Sequence, residues 1–107
     1  MKRFLPALLP ALFFTSLLHS QTLIPFRDGT RWGYCNPEGK IILPCIYSNA
    51  FPFTPAGAVV TDNNKYGLID TKGKWLIPAI YDSLGSFENN IAVFKKDGKL
   101  GLMDKTG

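Results

Sequence analysis

Short apolar runs alternate with polar turn signals along the chain from about residue 23 onward. The runs are rich in Ile, Val, Leu, Phe and Tyr, and the breaks between them carry Asn, Asp, Gly or Pro. No window free of these breaks is long enough for a pair of helices of about 10 residues each. Short runs of β-branched and aromatic residues between turn signals are typical of strands. The pattern therefore predicts an all-β chain.

The pattern repeats with a period of 34 residues and without any gap. The shift superimposes two glycine series, Gly33, Gly67 and Gly101, and Gly39, Gly73 and Gly107. It also pairs Pro44 with Pro78, Ile46 with Ile80, Tyr47 with Tyr81, Phe53 with Phe87, Ala58 with Ala92 and Val59 with Val93. We divide the β domain, residues 21–107, into a part-repeat 23–30, full repeats 31–64 and 65–98, and a truncated repeat 99–107. The predicted fold is a tandem array of antiparallel β-hairpin repeats, a meander or solenoid.

Each repeat carries a predicted hairpin turn. Asn36, Asp70 and Asp104 share its first position, where a side chain can bond the backbone two residues on. A glycine at the fourth position suits a type I turn closed by a glycine bulge. Proline cannot donate to a sheet, so we expect Pro44 and Pro78 to end the second strand of each hairpin.

Two further sets of recurring residues predict packing. A glycine inside a strand marks a bulge or a close approach, so we expect a large side chain of a neighbouring unit over Gly33, Gly67 and Gly101. Equivalent apolar positions predict the core, which we assign to Ile46, Phe53, Val59, Ile80, Phe87 and Val93, with the rings of Tyr47 and Tyr81 also buried.

Residues 1–20 have the pattern of a secretory signal peptide. Lys2 and Arg3 precede an apolar run from Phe4 to Leu18, and the small residue Ser20 follows. A membrane anchor is the alternative, but the run is short against the roughly 20 residues needed to span a bilayer. We predict cleavage after Ser20, no membrane span afterwards, and a secreted or periplasmic, cell-envelope location.

Cleavage changes the chemistry that remains available. Lys2 and Arg3 would be removed with the leader, which leaves ten basic and eight acidic residues. This small positive net charge is too weak to predict nucleic-acid binding. The only histidine, His19, would leave too, and with it the usual general base. Two cysteines ten residues apart make a poor metal site. We therefore predict no enzyme activity, no cofactor and no metal.

Four residues remain as candidates for a site. Cys35 and Cys45 could form a disulfide outside the cytoplasm, or Cys35 could be a small buried residue. In the expected register Cys35 lies opposite Ile41, four residues short of Cys45, and a bridge needs Cα atoms within about 7 Å. Trp32 and Trp75 could instead line an aromatic interaction surface for a protein or a glycan.

The recurring motifs resemble the WG-repeat family. The resemblance rests on the stretches "RWGY", "GKIILPCIY", "KYGLID" and "GKWLIPAIYD", with Tyr66 and Leu100 in place of the family's Trp. The resemblance implies a hairpin-repeat fold and an exported or envelope-associated bacterial protein. We expect a non-catalytic exported module, a protein- or glycan-interaction scaffold at the bacterial envelope.

Alternative functions also stay open. The chain could be a structural piece of a longer repeat protein, or the accessory domain of an enzyme whose catalytic part is absent here. The edge left by the truncated repeat could be closed by the strand near Leu23–Phe26, or pair with another copy of the chain.

Overall fold

The computed structural model describes residues 22–107, so the predicted signal peptide lies outside the described residues. The described part is built from strands and contains no helix, which confirms the all-β prediction, and none of it could cross a membrane as a helix. The strands are β1 (Ile24–Asp28), β2 (Arg31–Cys35), β3 (Ile41–Tyr47), β4 (Asn49–Ala50), β5 (Ala58–Asp62), β6 (Lys65–Ile69), β7 (Trp75–Tyr81), β8 (Ser83–Leu84), β9 (Ile91–Lys96) and β10 (Lys99–Asp104).

The strands form three antiparallel sheets. The first sheet has the order β1-β2-β3, the middle sheet β4-β5-β6-β7 and the last sheet β10-β9-β8. Equivalent pairs recur at the predicted period, since Phe26 lies opposite Gly33 and Phe94 opposite Gly101. The tandem hairpin array is confirmed. The strand near Leu23–Phe26 does not close the last sheet, because β1 pairs with β2.

The predicted hairpin turn forms in each repeat. The Asp70 carboxylate accepts hydrogen bonds from the backbone N–H groups of Lys72 and Lys74, each at 2.9 Å. Gly73 has φ of 83°, a left-handed conformation in which a side chain is strained. Asn36 and Asp104 make the same contact to the N–H two residues on, at 3.1 and 3.0 Å. The polar side chains of these turns therefore act on the local backbone.

The prolines do not end their strands, and this expectation was wrong. Pro44 lies inside β3 and Pro78 inside β7, each the edge strand of its sheet. Leu43 lies opposite Tyr34 but Tyr47 opposite Trp32, so β3 has two extra residues there. A bulge on an edge strand tolerates proline because no ladder hydrogen bond is required of it.

The same bulges explain two of the three strand glycines. A Cβ on Gly33 would lie 2.5 Å from the Leu43 carbonyl oxygen, and one on Gly67 would lie 2.7 Å from that of Ile77. The strand backbone of the same hairpin therefore crosses these glycines, rather than a side chain of a neighbouring unit. Only at Gly101 does the expected arrangement occur, where the Phe94 ring lies 2.6 Å from the position of a Cβ.

Two apolar cores hold the sheets together, one on either side of the middle sheet. The first contains Leu23, Tyr34, Leu43, Tyr47, Ala50, Ala58, Val60 and Ile69. The second contains Val59, Leu68, Ile77, Leu84, Phe87, Ala92 and Met103. Val60 and Val59 are neighbours on β5, yet they enter different cores, because successive side chains of a strand point to opposite faces. The middle sheet is thus buried on both faces.

The predicted core list was half right. Val59 and Phe87 are buried, and Phe53 is partly buried against the first core. Ile46, Ile80 and Val93 are instead about half exposed, at 54, 46 and 52%. Tyr47 is buried and Tyr81 half-buried. Ile46 and Ile80 each precede one of these tyrosines, so strand alternation turns the isoleucines away from the core that the tyrosines enter.

Candidate interaction surface

The outward face of the last sheet is apolar and exposed. It consists of Ile91, Val93, Leu100 and Leu102, which we call the last-sheet face. Leu102 lies opposite Val93 in the ladder, and the two leucines are 74 and 70% exposed. The alternate residues of β9 and β10, Ala92 and Met103, are buried in the second core. This sheet therefore has apolar residues on both faces, of which only one is covered among residues 22–107.

Corresponding residues one repeat earlier are covered. Val59 and Leu68 occupy the positions of Val93 and Leu102 in the preceding repeat, and both are buried in the second core. The last-sheet face is thus the equivalent of a surface that is packed inside the stack. The last-sheet face is as apolar as a buried sheet face, but its side chains are exposed.

The first sheet also has an outward apolar face. Ile24, Phe26 and Ile41 compose it, and we call it the first-sheet face. Ile24 and Ile41 both lie opposite Cys35 in the ladders of β1 and β3, which places them on one side of the sheet. Leu23, on the other side, enters the first core.

The structure separates the two tryptophans by burial. Trp32 is half-buried against the first core and has the Arg27 guanidinium 5.8 Å from its ring centre. Trp75 is 39% exposed on the edge strand of the middle sheet, with its ring edge-on to Tyr47 at 6.1 Å. They do not form one exposed aromatic face. Trp75 alone is available to a ligand at its edge.

A shallow groove of about 350 Å³ runs beside Trp75. Pro78, Ala79 and Ile80 of the same strand line it together with Asp62 of β5. Burial raises the pKa of Tyr47, which contacts Trp75, and the nearby charge of Asp62 raises it further. The groove thus has an exposed indole and one acidic residue in its lining, a combination suited to a sugar ring.

Cys35 and Cys45 carry free thiols, so the disulfide alternative is not formed. The expected register is correct, since Cys35 lies opposite Ile41. Cys45 falls beyond, in the bulge of β3, where its thiol donates to the Phe26 carbonyl at 3.7 Å. Desolvation raises the pKa of Cys45, and the Asp28 carboxylate raises it further. The neutral thiol is favoured, which does not suit a nucleophile.

Four acidic side chains act in backbone or ion-pair contacts, namely Asp70, Asp82, Asp97 and Asp104. Asp82 pairs with the Lys65 ammonium at 2.5 Å and accepts the Asp97 N–H at 2.9 Å. The Lys65 hydrogen bond, followed by that of Asp97, holds the pKa of Asp82 below its ordinary value. Among residues 22–107, no three His, Cys, Asp or Glu side chains are grouped closely enough to hold a metal ion.

Sequence reasoning missed the last-sheet face. The stretch "IAVFKKDGKLGLMD" has apolar residues at both odd and even positions of its strands, whereas a sheet with one solvated face alternates apolar and polar residues. The 34-residue alignment of Leu102 with Leu68 contains the same information. Either signal predicts a sheet that is apolar on both sides.

Comparison with known families gives one result. The model of the family described as WG containing repeat matches the chain twice, over residues 32–66 and 66–99. No curated protein and no solved structure matches the chain. The two matched segments share residue 66, and each includes one bulged hairpin and the two strands that follow it.

Proposed function

The chain belongs to the WG-repeat family, and from this membership and its sheet stack we propose that it is a non-catalytic, exported interaction scaffold of the bacterial envelope that binds a protein. The family places the chain among repeat modules with a structural or interaction role. Protein binding, export and the lack of catalysis are the parts that we add. The last-sheet face is the observation that carries the proposal.

The composition and exposure of this face favour a protein partner. Leu100 and Leu102 expose about seven-tenths of their surface, beside the half-exposed Ile91 and Val93. Contiguous apolar patches are rare on soluble monomers, and where they occur they mark interaction sites. The four aliphatic side chains offer no hydrogen-bond donors, and the charged residues on this side of the sheet are Lys95 and Asp104, so the face suits an apolar protein surface more than a polar ligand.

A photo-crosslinking amino acid at Leu102 tests this function in the cell that produces the protein. We expect a discrete crosslinked protein product, identified by mass spectrometry, when the probe replaces Leu102. The same probe at Ile80, which is 46% exposed on the middle sheet, is the matched control and should give none. Absence of a product from Leu102, or equal products from both positions, contradicts a binding role for this face.

Export has its own test. If the leader is cleaved after Ser20, the protein recovered from outside the cytoplasm begins at Gln21. N-terminal sequencing distinguishes this form from a chain that still begins at Met1. Recovery of the uncleaved chain from the cytoplasm would contradict the proposal.

Glycan binding is the second candidate, and the groove beside Trp75 favours it. Indole rings stack on the apolar faces of sugars, and Asp62 could accept hydrogen bonds from their hydroxyl groups. Titration with oligomers of β-1,4-linked N-acetylglucosamine should then change the Trp75 emission, and calorimetry should detect binding to the parent protein but not to a Trp75→Ala variant. Unchanged emission in the parent protein at saturating oligomer would contradict this candidate.

A further inference from the structure

The two cores between the sheets are the same contact displaced by one repeat. Each consists of a lower surface on one sheet and an upper surface on the next. The lower surfaces contain the equivalent residues Tyr34 and Leu68, Leu43 and Ile77, and Tyr47 and Tyr81. The upper surfaces contain the equivalent residues Ala58 and Ala92, Val60 and Phe94, and Ile69 and Met103. One pair of complementary surfaces is therefore used twice within the described residues.

Within residues 22–107, each end of the stack presents residues of one of these two surfaces without the other surface packed against them. Leu102 of the last-sheet face is equivalent to Leu68 and Tyr34, which belong to lower surfaces. Ile24 of the first-sheet face is equivalent to Ala58, an upper-surface residue. The two ends thus carry complementary members of a pair that is already packed elsewhere in the same chain.

We propose that the last-sheet face of one copy of the chain packs on the first-sheet face of a second copy, so that the stack of sheets continues from copy to copy. This inference rests on the proposed function, because it names the partner of the same face. The contact is head-to-tail, and such a contact extends into open chains unless its rotation closes a ring.

The polar residues of the two faces do not oppose the contact. Lys95 lies opposite Leu100, and Asp104 lies opposite Ile91, so the last sheet carries one base and one acid on this side. Asp28 lies opposite Arg31 on the side of the first sheet that carries Phe26. Each face is balanced in charge, so two copies can approach without net repulsion. A strongly acidic or basic macromolecule would find no excess of opposite charge on either face.

The contact is small, because the two strands β9 and β10 contribute six residues each to the last sheet. A face of this size lies at the low end of protein interfaces, where association is weak. We therefore expect dissociation constants in the upper micromolar range, with the average mass rising steadily with protein concentration.

Complementation between two variants tests the inference on the protein as the cell exports it. Leu102→Asp blocks the last-sheet face and Ile24→Asp blocks the first-sheet face, and both side chains are exposed. By sedimentation velocity and light scattering, each variant alone should associate at least tenfold more weakly than the parent. An equimolar mixture should form dimers and nothing larger, because each variant retains the one face that the other lacks.

The controls separate the possible failures. Ile80→Asp alters an exposed isoleucine on neither end face and should associate like the parent. Circular dichroism checks that each variant is folded, and Phe26→Asp replaces Ile24→Asp if that variant is not. A parent protein that stays monomeric, or dimers of Ile24→Asp alone, would overturn the head-to-tail contact. If Leu102 still crosslinks to a different protein, the proposed function stands without self-association; if it crosslinks to nothing, both fail.

Discussion

Gly67 should be intolerant of even one added methyl group. A Cβ at this position would lie 2.7 Å from the Ile77 carbonyl oxygen, 2.8 Å from the Ala79 nitrogen and 2.8 Å from the Trp75 ring. Two of these three atoms belong to the backbone of the bulge in β7. Neither can turn away as a side chain can, so Gly67→Ala must displace the bulge from β6.

The expected cost follows from the size of this clash. Forcing an extra carbon into a packed site costs about 1–3 kcal/mol. A Gly→Ala change also lowers the conformational entropy of the unfolded chain, which offsets this cost by about 0.4–1 kcal/mol. We expect Gly67→Ala to lower the free energy of unfolding by about 1–2 kcal/mol, and Tm by about 5–15 °C for a domain of this size.

Urea unfolding followed by circular dichroism measures the change in the free energy of unfolding. Gly→Ala variants at three other positions serve as comparisons. Gly33→Ala meets the equivalent bulge and should cost as much as Gly67→Ala. Gly101→Ala meets the Phe94 ring, which can rotate, and should cost less. Gly85→Ala has its nearest neighbour at 3.5 Å and should be neutral. If Gly67→Ala is no more destabilising than Gly85→Ala, the bulge does not explain these glycines.

Three further predictions concern single side chains. The Tyr34 hydroxyl donates to the Phe51 carbonyl at 2.5 Å, so Tyr34→Phe should lower the free energy of unfolding by about 1–2 kcal/mol. The pKa of Asp82 is lowered in the folded protein, so its stabilisation is present above the unfolded pKa of about 3.9 and is lost as pH falls through the folded value. The urea midpoint should therefore fall on acidification, and it should fall less in Asp82→Asn. Acrylamide should quench the emission of a Trp32→Phe variant more strongly than that of Trp75→Phe, because Trp75 is the more exposed ring.

Each of these predictions has a control. Tyr66→Phe alters a half-buried ring that donates no hydroxyl hydrogen bond to a residue between 22 and 107, and it should be closer to neutral. A Lys65→Met variant removes the ion-pair partner of Asp82. Its urea midpoint should also fall less on acidification than that of the parent protein. Equal quenching of the two tryptophan variants would contradict the burial assigned to Trp32.

The repeat, the hairpin turns and the all-β class were accessible from local patterns. Turn chemistry depends on neighbouring residues: Asp70 reaches the N–H groups of Lys72 and Lys74, and Gly73 supplies the left-handed conformation. These interactions span at most four residues, so they can be predicted from neighbouring positions in the sequence. The ladder position of Cys35 opposite Ile41 followed directly from them.

The prolines and the core residues show where local reasoning ends. Pro44 was expected to stop a strand, because a missing N–H breaks a ladder. Whether that N–H is needed depends on β3 being an edge strand with a bulge, which is a property of the assembled sheet. In the same way, Val59 and Val93 are the same residue in equivalent positions, yet in the described part of the chain only Val59 has a sheet packed over it.

The period, the all-β class and the turn positions follow from the amino-acid sequence alone, because they depend on propensities and contacts within a few residues. Which apolar face is covered emerges from the fold, because the burial of a face depends on the sheet that packs over it and not on the identity of its residues. The interaction surface belongs to that second kind of information. Leu102 becomes a candidate because the chain buries its equivalent, Leu68, and leaves Leu102 exposed.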